Sequence, residues 1–333
     1  MMKKHFIFLT SQSHSNLGLF EDLKKVDDVD IVIVKQRNVN GILSKVKRVH
    51  TSWSINKHIS LPLRKKWYEP LNITLKLGFE NIIIIVDIAL KGIDVDHLNN
   101  LFSHDDVKGV LVMINSYDAA SVGMLEIKKD ISAVKWDRVM TFDPMDAKKY
   151  HWEYMGGCYY SLHDRDSIIR KYGEPVKCDA YFTGGIKGER EELTMSVFEK
   201  LYKGGVDTRF NLMLSGTRRL EKKRYDDVIN YFSGGWIPYE KVLNDVLGAN
   251  VIIEILQNGQ FGPSLRYYEA VCYNKKLITN NPYAVTLPFY NPNFIKIIQT
   301  VDDIDIEWVK SADNVDFRYD GSFSPVRLIE RLR

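Results

Sequence analysis

The feature that most limits what this chain can become is the return, along its whole length, of short runs in which nearly every residue is apolar and many are β-branched, as in Asn81-Ile82-Ile83-Ile84-Ile85-Val86. A strand with one wet face alternates apolar and polar residues, whereas a run without alternation belongs to a strand covered on both faces, as in a mainly parallel sheet flanked by helices. In the first half such runs predict strands at His5 to Leu9, Val29 to Val34, Val49 to Ser52, Asn81 to Val86, Val107 to Ile114 and Arg138 to Phe142. Between them, Gly18 to Lys25, Leu61 to Leu77 and Asp96 to Phe102 have helical spacing. That alternation is the pattern of an α/β fold.

The rhythm restarts after a stretch rich in Gly, Tyr and charge, Gly156 to Lys177, which reads as a connection. Strands are expected at Cys178 to Phe182, Thr208 to Leu214, Gly234 to Trp236, Ala249 to Ile253 and Lys276 to Thr279, with helices at Glu189 to Lys203, Arg218 to Tyr231, Tyr239 to Val246 and Pro263 to Tyr273. At 333 residues the chain has room for two α/β domains, expected at 1–165 and 176–310. The last segment, 311–333, is expected to return to the first domain through a helix at Pro325 to Leu332. Two Rossmann-like domains in tandem would face each other across a cleft at the carboxyl ends of their strands, where open α/β sheets bind ligands.

Composition excludes several classes. A chain with 45% hydrophobic and 27% charged residues folds in water. The apolar run after Met1-Met2-Lys3-Lys4-His5 is too short for a signal peptide, and Ile82 to Leu90 is too short to span a bilayer. Cys158, Cys178 and Cys272 have neither CxxC spacing nor a histidine cluster, so no zinc site or disulfide framework is indicated and a reducing, cytoplasmic setting fits. A net charge of +3, with no basic stripe interleaved with aromatics, gives no support for nucleic acid. Charge is nevertheless uneven: between Gly41 and Gly78 eight Lys and Arg residues face only Glu69. Such a region suits an anionic membrane surface or a phosphate-bearing acceptor, or is a solvated face balanced elsewhere.

The most informative segment is Asn258-Gly259-Gln260-Phe261-Gly262-Pro263-Ser264-Leu265-Arg266-Tyr267-Tyr268-Glu269-Ala270, which follows the apolar strand Val251-Ile252-Ile253. Pro263 stands where a missing amide hydrogen costs nothing, so a helix begins there and offers its first amides and the positive end of its dipole to an anion such as a diphosphate. Glu269 lies one turn beyond Leu265, about 6 Å along the axis, where a carboxylate can accept both hydroxyls of a nucleoside ribose. Taken alone, Glu269 is more simply a helix carboxylate paired with Arg266 or Lys275. Its neighbours add weight to the first reading. Trp236-Ile237-Pro238-Tyr239-Glu240 forms an apolar turn able to hold a planar base, and Lys276-Leu277-Ile278-Thr279-Asn280-Asn281 is a strand ending in polar residues.

These motifs resemble the donor domain of GT-B glycosyltransferases, and more narrowly bacterial enzymes of lipopolysaccharide, capsule or exopolysaccharide assembly. Trp136 to Tyr150, with its Phe142-Asp143 and Asp146-Ala147-Lys148-Lys149-Tyr150 passages, is similar to that group ahead of the domain junction. The resemblance implies a cytoplasmic hexosyltransferase-like enzyme, at most peripheral to the membrane, that moves a sugar from a nucleotide-sugar donor to a glycan or lipid-linked acceptor. It implies that Glu269 holds the ribose and that the amides of Ser264 and Leu265, beside Gly262 and Arg266, meet the diphosphate. Pro238 belongs to the base-side turn. The stretch Tyr181 to Arg190 is similar to the family's first donor-domain loop, in which Gly184 and Gly185 would permit close approach and Lys187 or Arg190 would offset the charge of the departing diphosphate. No cofactor is expected, and no metal either, since no Asp-x-Asp pair stands near the site.

An inverting transfer needs a base from the acceptor side. Candidates at strand ends are His14, Asp87 and Asp118; two of them also have a plain reading, His14 as a surface histidine and Asp87 as a helix cap. Related sequences tend to carry aspartate where this chain has Asn115, which cannot act as a base. Asp87 or Asp118 then takes the task, the reaction retains configuration, or activity is weakened. Two alternatives follow: a non-catalytic sugar-nucleotide-binding partner of another transferase, or a sugar-nucleotide epimerase that hydrolyses its donor. A nicotinamide enzyme is disfavoured, because only Gly18 occurs where GxGxxG would be needed.

Overall fold

The long apolar runs become the central strands of two separate parallel sheets. The computed structural model describes residues 2–35, 39–51, 67, 71–118, 122–157, 159–186, 189–214, 225–233 and 237–333. The chain divides into one unit of Met1–Ser161 with Phe323–Arg333, and a second of Leu162–Ser322.

Unit 1 contains β1 (Lys3–Ser11), β2 (Val29–Val34), β3 (Phe79–Val86), β4 (Val107–Met113), β5 (Arg138–Thr141) and β6 (Glu153–Tyr154). They pair in the order β2-β1-β3-β4-β5-β6, every pairing parallel. Ile82 to Val86 are at most 5% exposed, which explains the absence of alternation: neither face of β3 is wet. Ile7, Leu9, Ile83, Ile85, Leu111 and Met113 form one core with Leu90, Leu98, Ile127 and Ile131 from the connections. The closing helix, Val326–Leu332, buries Leu328, Ile329 and Leu332 in this unit.

Unit 2 contains β7 (Cys178–Ile186), β8 (Thr208–Leu214), β9 (Ile229–Ser233), β10 (Ala249–Glu254), β11 (Lys276–Thr279) and β12 (Ile295–Ile297). Their order, β12-β11-β10-β7-β8-β9, is again wholly parallel. Strand order reverses beside the first strand of each sheet, between β1 and β3 in unit 1 and between β7 and β10 in unit 2. Such switch points open a crevice at the carboxyl ends of the strands.

Several expected elements differ. Val49 to Ser52 begins within the helix Ile42–Thr51 rather than in a strand, because Ile42, Val46 and Val49 repeat with a helical period. Ile229 to Tyr231, expected as helix, pairs with β8 as β9, where Phe210 partners Ile229. The expected strand at 234–236, residues 61–66 and 68–70 of the expected helix at 61–77, and 218–224 of that at 218–231 lie outside the described residues, while 71–77 are irregular rather than helical. The expected connection contains the helix Arg165–Tyr172, capped by Asp164 and ended by Gly173 at φ 82°. The units exchange at Ser161/Leu162 and Ser322/Phe323.

Candidate functional site

At the switch point of unit 2, polar groups gather beyond the ends of β7 and β10. Glu254, the last residue of β10, is fully buried. Its Oε1 accepts from the Ser264 amide and hydroxyl, both at 2.7 Å, and its Oε2 accepts from Thr279 Oγ1 at 2.6 Å. Burial pushes its pKa up, against those hydrogen bonds. Asn280 Oδ1 accepts from the Leu256 amide, and Asn281 Nδ2 donates to the Phe261 carbonyl. The polar end of β11 thus holds the loop that delivers the helix Leu265–Cys272.

Ser264 is the N-cap of that helix, its hydroxyl accepting from the Arg266 amide at 3.2 Å. The Ser264 amide, expected to face a diphosphate, is instead satisfied by Glu254. The Leu265 amide has no acceptor among the described residues and remains the open donor of the first turn. Gly262 and Pro263 are buried.

Glu269 is fully buried and occupied from within the protein. Tyr239 OH donates to its Oε1 at 2.8 Å, and Arg266 Nη1 lies 2.6 Å from its Oε2. The second contact falls outside hydrogen-bonding angles, so charge rather than a directed bond holds it. Burial raises the pKa of Glu269 to about 7, opposed first by Arg266 and then by Tyr239. The plain pairing considered from the sequence, Glu269 with Arg266, is therefore present. Pro238, exposed, is the N-cap of Tyr239–Gly248 and brings Tyr239 to Glu269.

Arg190 differs from Arg266. It lies in the first turn of Glu189–Lys203 and makes no ion pair among the described residues, while its Nε is buried without an acceptor. Burial lowers its pKa to about 10, partly offset by the field of Glu254 and reinforced by that of Arg266. Gly184 and Gly185, expected in a loop, are strand residues of β7 opposite Leu212 and Met213. Gly184 makes room for Arg190: a Cβ there would stand 2.9 Å from Arg190 Nη2 and 3.1 Å from Phe182 Cζ. Lys187 lies outside the described residues. Glu254 was missed from the sequence, its one signal being a single carboxylate inside the apolar run Ala249 to Leu256, and Tyr239 and Thr279 were named only within their segments.

In unit 1 the expected bases have other tasks. Asp87 is fully buried, just past β3, and accepts from the amides of Ile88, Ile114 and Asn115 at 2.6, 3.2 and 2.9 Å and from Asn115 Nδ2. Burial raises its pKa to about 6 despite those donors. It ties the end of β3 to the end of β4 and faces no solvent. Asp118 is pinned by Lys149 Nζ at 2.5 Å and Tyr150 OH at 2.6 Å. Partial burial would raise its pKa, but these two partners outweigh it and leave the carboxyl lowered, hence a weak base. His14 belongs to the helix Gln12–Asn16, and its side chain lies outside the described residues. Asn115 is the amide donor that lets Asp87 sit buried.

Two parallel-sheet units with opposite-going connections at each switch point define a pair of Rossmann-like units, the architecture of the GT-B class. Among solved structures, AviGT4, a glycosyltransferase involved in avilamycin A biosynthesis, matches at a TM-score of 0.52 and 10% identity, covering 99% of this chain and 96% of that one. The UDP-GlcNAc 2-epimerase from Neisseria meningitidis bound to UDP-GlcNAc matches at 0.50 and 11% identity, covering 99% of each chain. At such identities the likeness establishes the fold and not the activity. No protein-family model matches the chain, and no curated protein matches it.

Proposed function

We propose that this chain is a nucleotide-sugar-dependent glycosyltransferase whose unit 2 holds the donor. The observation that carries the reading is Arg190, a half-buried guanidinium that makes no ion pair among the described residues, held at the switch point beside Arg266 and the open Leu265 amide. A cation kept partly from water, with only the field of Glu254 to offset it, is unfavourable unless a ligand supplies an anion. A diphosphate fits. Donor binding would exchange the internal partners of Glu269 for ribose hydroxyls and release Arg266 toward the phosphates. Two arginines at the leaving diphosphate do the work that a metal does elsewhere, so the proposal includes none.

The acceptor in this proposal is a glycan or lipid-linked sugar of bacterial surface polysaccharide synthesis, met at the inner face of a membrane that the basic 41–78 region touches. No helix among the described residues is long and apolar enough to cross a membrane. With Asp87 sealed and Asp118 held, a retaining reaction or His14 as base is favoured over either carboxylate. A donor-hydrolysing epimerase is the second reading, supported by the equal likeness of the fold to the epimerase named above. A non-catalytic donor-binding partner is the third, supported by the occupied carboxylates of unit 1.

The test is a thermal-shift screen against nucleotide sugars, where a ligand at 100 times its Kd stabilises by about 2.7 kcal/mol. Arg190→Ala should weaken binding roughly 10- to 100-fold, the worth of charge-assisted hydrogen bonds, while leaving the unliganded melting temperature nearly unchanged. A variant that binds like its parent would remove the basis for the donor site. Product analysis separates the readings: sugar on an acceptor, free epimerised sugar, or no turnover.

A further inference from the structure

The helix Ile42–Thr51 turns its apolar side outward. Ile42 is 80% exposed, Leu43 57%, Val49 49% and Val46 38%, whereas Ser44, Lys47 and His50 are half-buried. At 3.6 residues per turn the four aliphatic residues fall in one stripe roughly 120° wide, with Lys45 just beyond one margin and Lys47 just beyond the other. A surface helix of a water-soluble domain normally buries such a stripe. Here the four aliphatic side chains stay exposed; His50, which falls in the same arc between Val46 and Leu43, is half-buried and holds the helix through its Nδ1, which accepts from Trp67 Nε1 at 3.1 Å. Charge identifies the occupant. From Ile31 to Tyr68 the sequence has nine Lys and Arg residues and no Asp or Glu.

We infer that the helix Ile42–Thr51 is an interfacial anchor that lays its Ile42, Leu43, Val46 and Val49 stripe into the surface of an anionic bilayer. An apolar stripe margined by lysines fits that setting, because the aliphatic side chains enter the acyl boundary while the ammonium groups stay with lipid phosphates. A protein partner would have to present a strongly acidic groove to match the same cations. The inference gives an element and a mode to the membrane contact of the proposed function, and it depends on none of the donor chemistry of unit 2.

The test is co-sedimentation of the full chain with phosphatidylcholine vesicles, with and without phosphatidylglycerol. The chain should bind the anionic vesicles and not the neutral ones. Ile42→Ser with Leu43→Ser should weaken binding at least tenfold through lost apolar burial. Lys45→Gln should weaken it roughly fivefold, at the usual worth of about 1 kcal/mol for a charge near an anionic surface. Both variants should keep the parent's melting temperature and donor-induced shift, since Ile42, Leu43 and Lys45 are exposed. Equal binding to both vesicle types, no binding to either, or an aliphatic double variant that binds like its parent would overturn the inference. So would light scattering that shows a dimer lost in the aliphatic variant, which would make a second copy the occupant. Vesicle binding and donor binding are measured separately, so either can fail while the other stands.

Discussion

Glu269 carries opposite demands in one carboxyl group. In the fold it is sealed with Tyr239 and Arg266, and burial lifts its pKa from the ordinary 4.5 to about 7. The folded chain therefore holds this proton more tightly than the unfolded chain, so the contribution to stability is full below pH 4.5 and is lost as pH rises to about 7. Asp87 and Asp146, raised by burial to about 6, act in the same direction but lower in the range. Glu254, also raised by burial, acts in the same direction, so the share of Glu269 is read by difference: Glu269→Gln should reduce the fall in melting temperature between about pH 6 and about pH 7 relative to the parent. An unchanged profile in the variant would mean that Glu269 does not titrate there. Ribose hydroxyls need the ionised form as acceptor, so donor affinity should rise through the same window, opposite in sign to stability.

At the scale of elements, two placements make predictions. Asn115 joins the ends of β3 and β4 by donating to Asp87, and Asn115→Asp would set a second carboxyl against a buried one. Loss of the donor and like-charge repulsion together should destabilise the protein by about 2–4 kcal/mol at neutral pH, read by denaturant unfolding, with part recovered at lower pH. Destabilisation below about 0.5 kcal/mol would show that the pair is not structural. In unit 2, β7 carries Gly184 under the guanidinium of Arg190, 2.9 Å from where a Cβ would stand. Gly184→Ala should push that flexible side-chain end aside at small cost in stability and weaken nucleotide-sugar binding roughly tenfold by titration. A variant with parental affinity would show that Arg190 need not lie against the strand.

For the whole molecule, the chain's return to unit 1 is its most consequential feature. Phe323, Leu328, Ile329 and Leu332 are each at most 4% exposed, the Tyr160 amide donates to the Phe323 carbonyl at 2.9 Å, and Lys4 Nζ donates to the Leu332 carbonyl at 2.8 Å. Four such side chains contribute on the order of 6–12 kcal/mol as an upper bound, comparable with the whole stability of a domain. Removal of residues 323–333 should therefore unfold unit 1, seen as lost helical and near-ultraviolet circular dichroism, while the donor-induced thermal shift of unit 2 survives. Loss of the shift as well would show that unit 2 depends on unit 1.

Periodicity alone determined the two α/β units and most of their strands, because a strand covered on both faces needs an unbroken apolar run and few other settings tolerate one. The start of the helix at Leu265 was legible for a similarly local reason, as Pro263 and Ser264 are the residues that open helices. What the glycines and acids do was not legible. Gly184 and Gly185 read as loop residues until β8 was seen beside them, and Asp87 read as a base until Asn115 was seen donating to it. Glu254 and Ser264 are ten residues apart in sequence and Glu254 and Thr279 twenty-five, so only the packing of β10 against β11 and the helix after it brings them together. Local pattern sets which residues form strands and helices; whether a carboxylate is a ligand, a base or a staple depends on the donors that distant segments place around it, and those are chosen by tertiary structure.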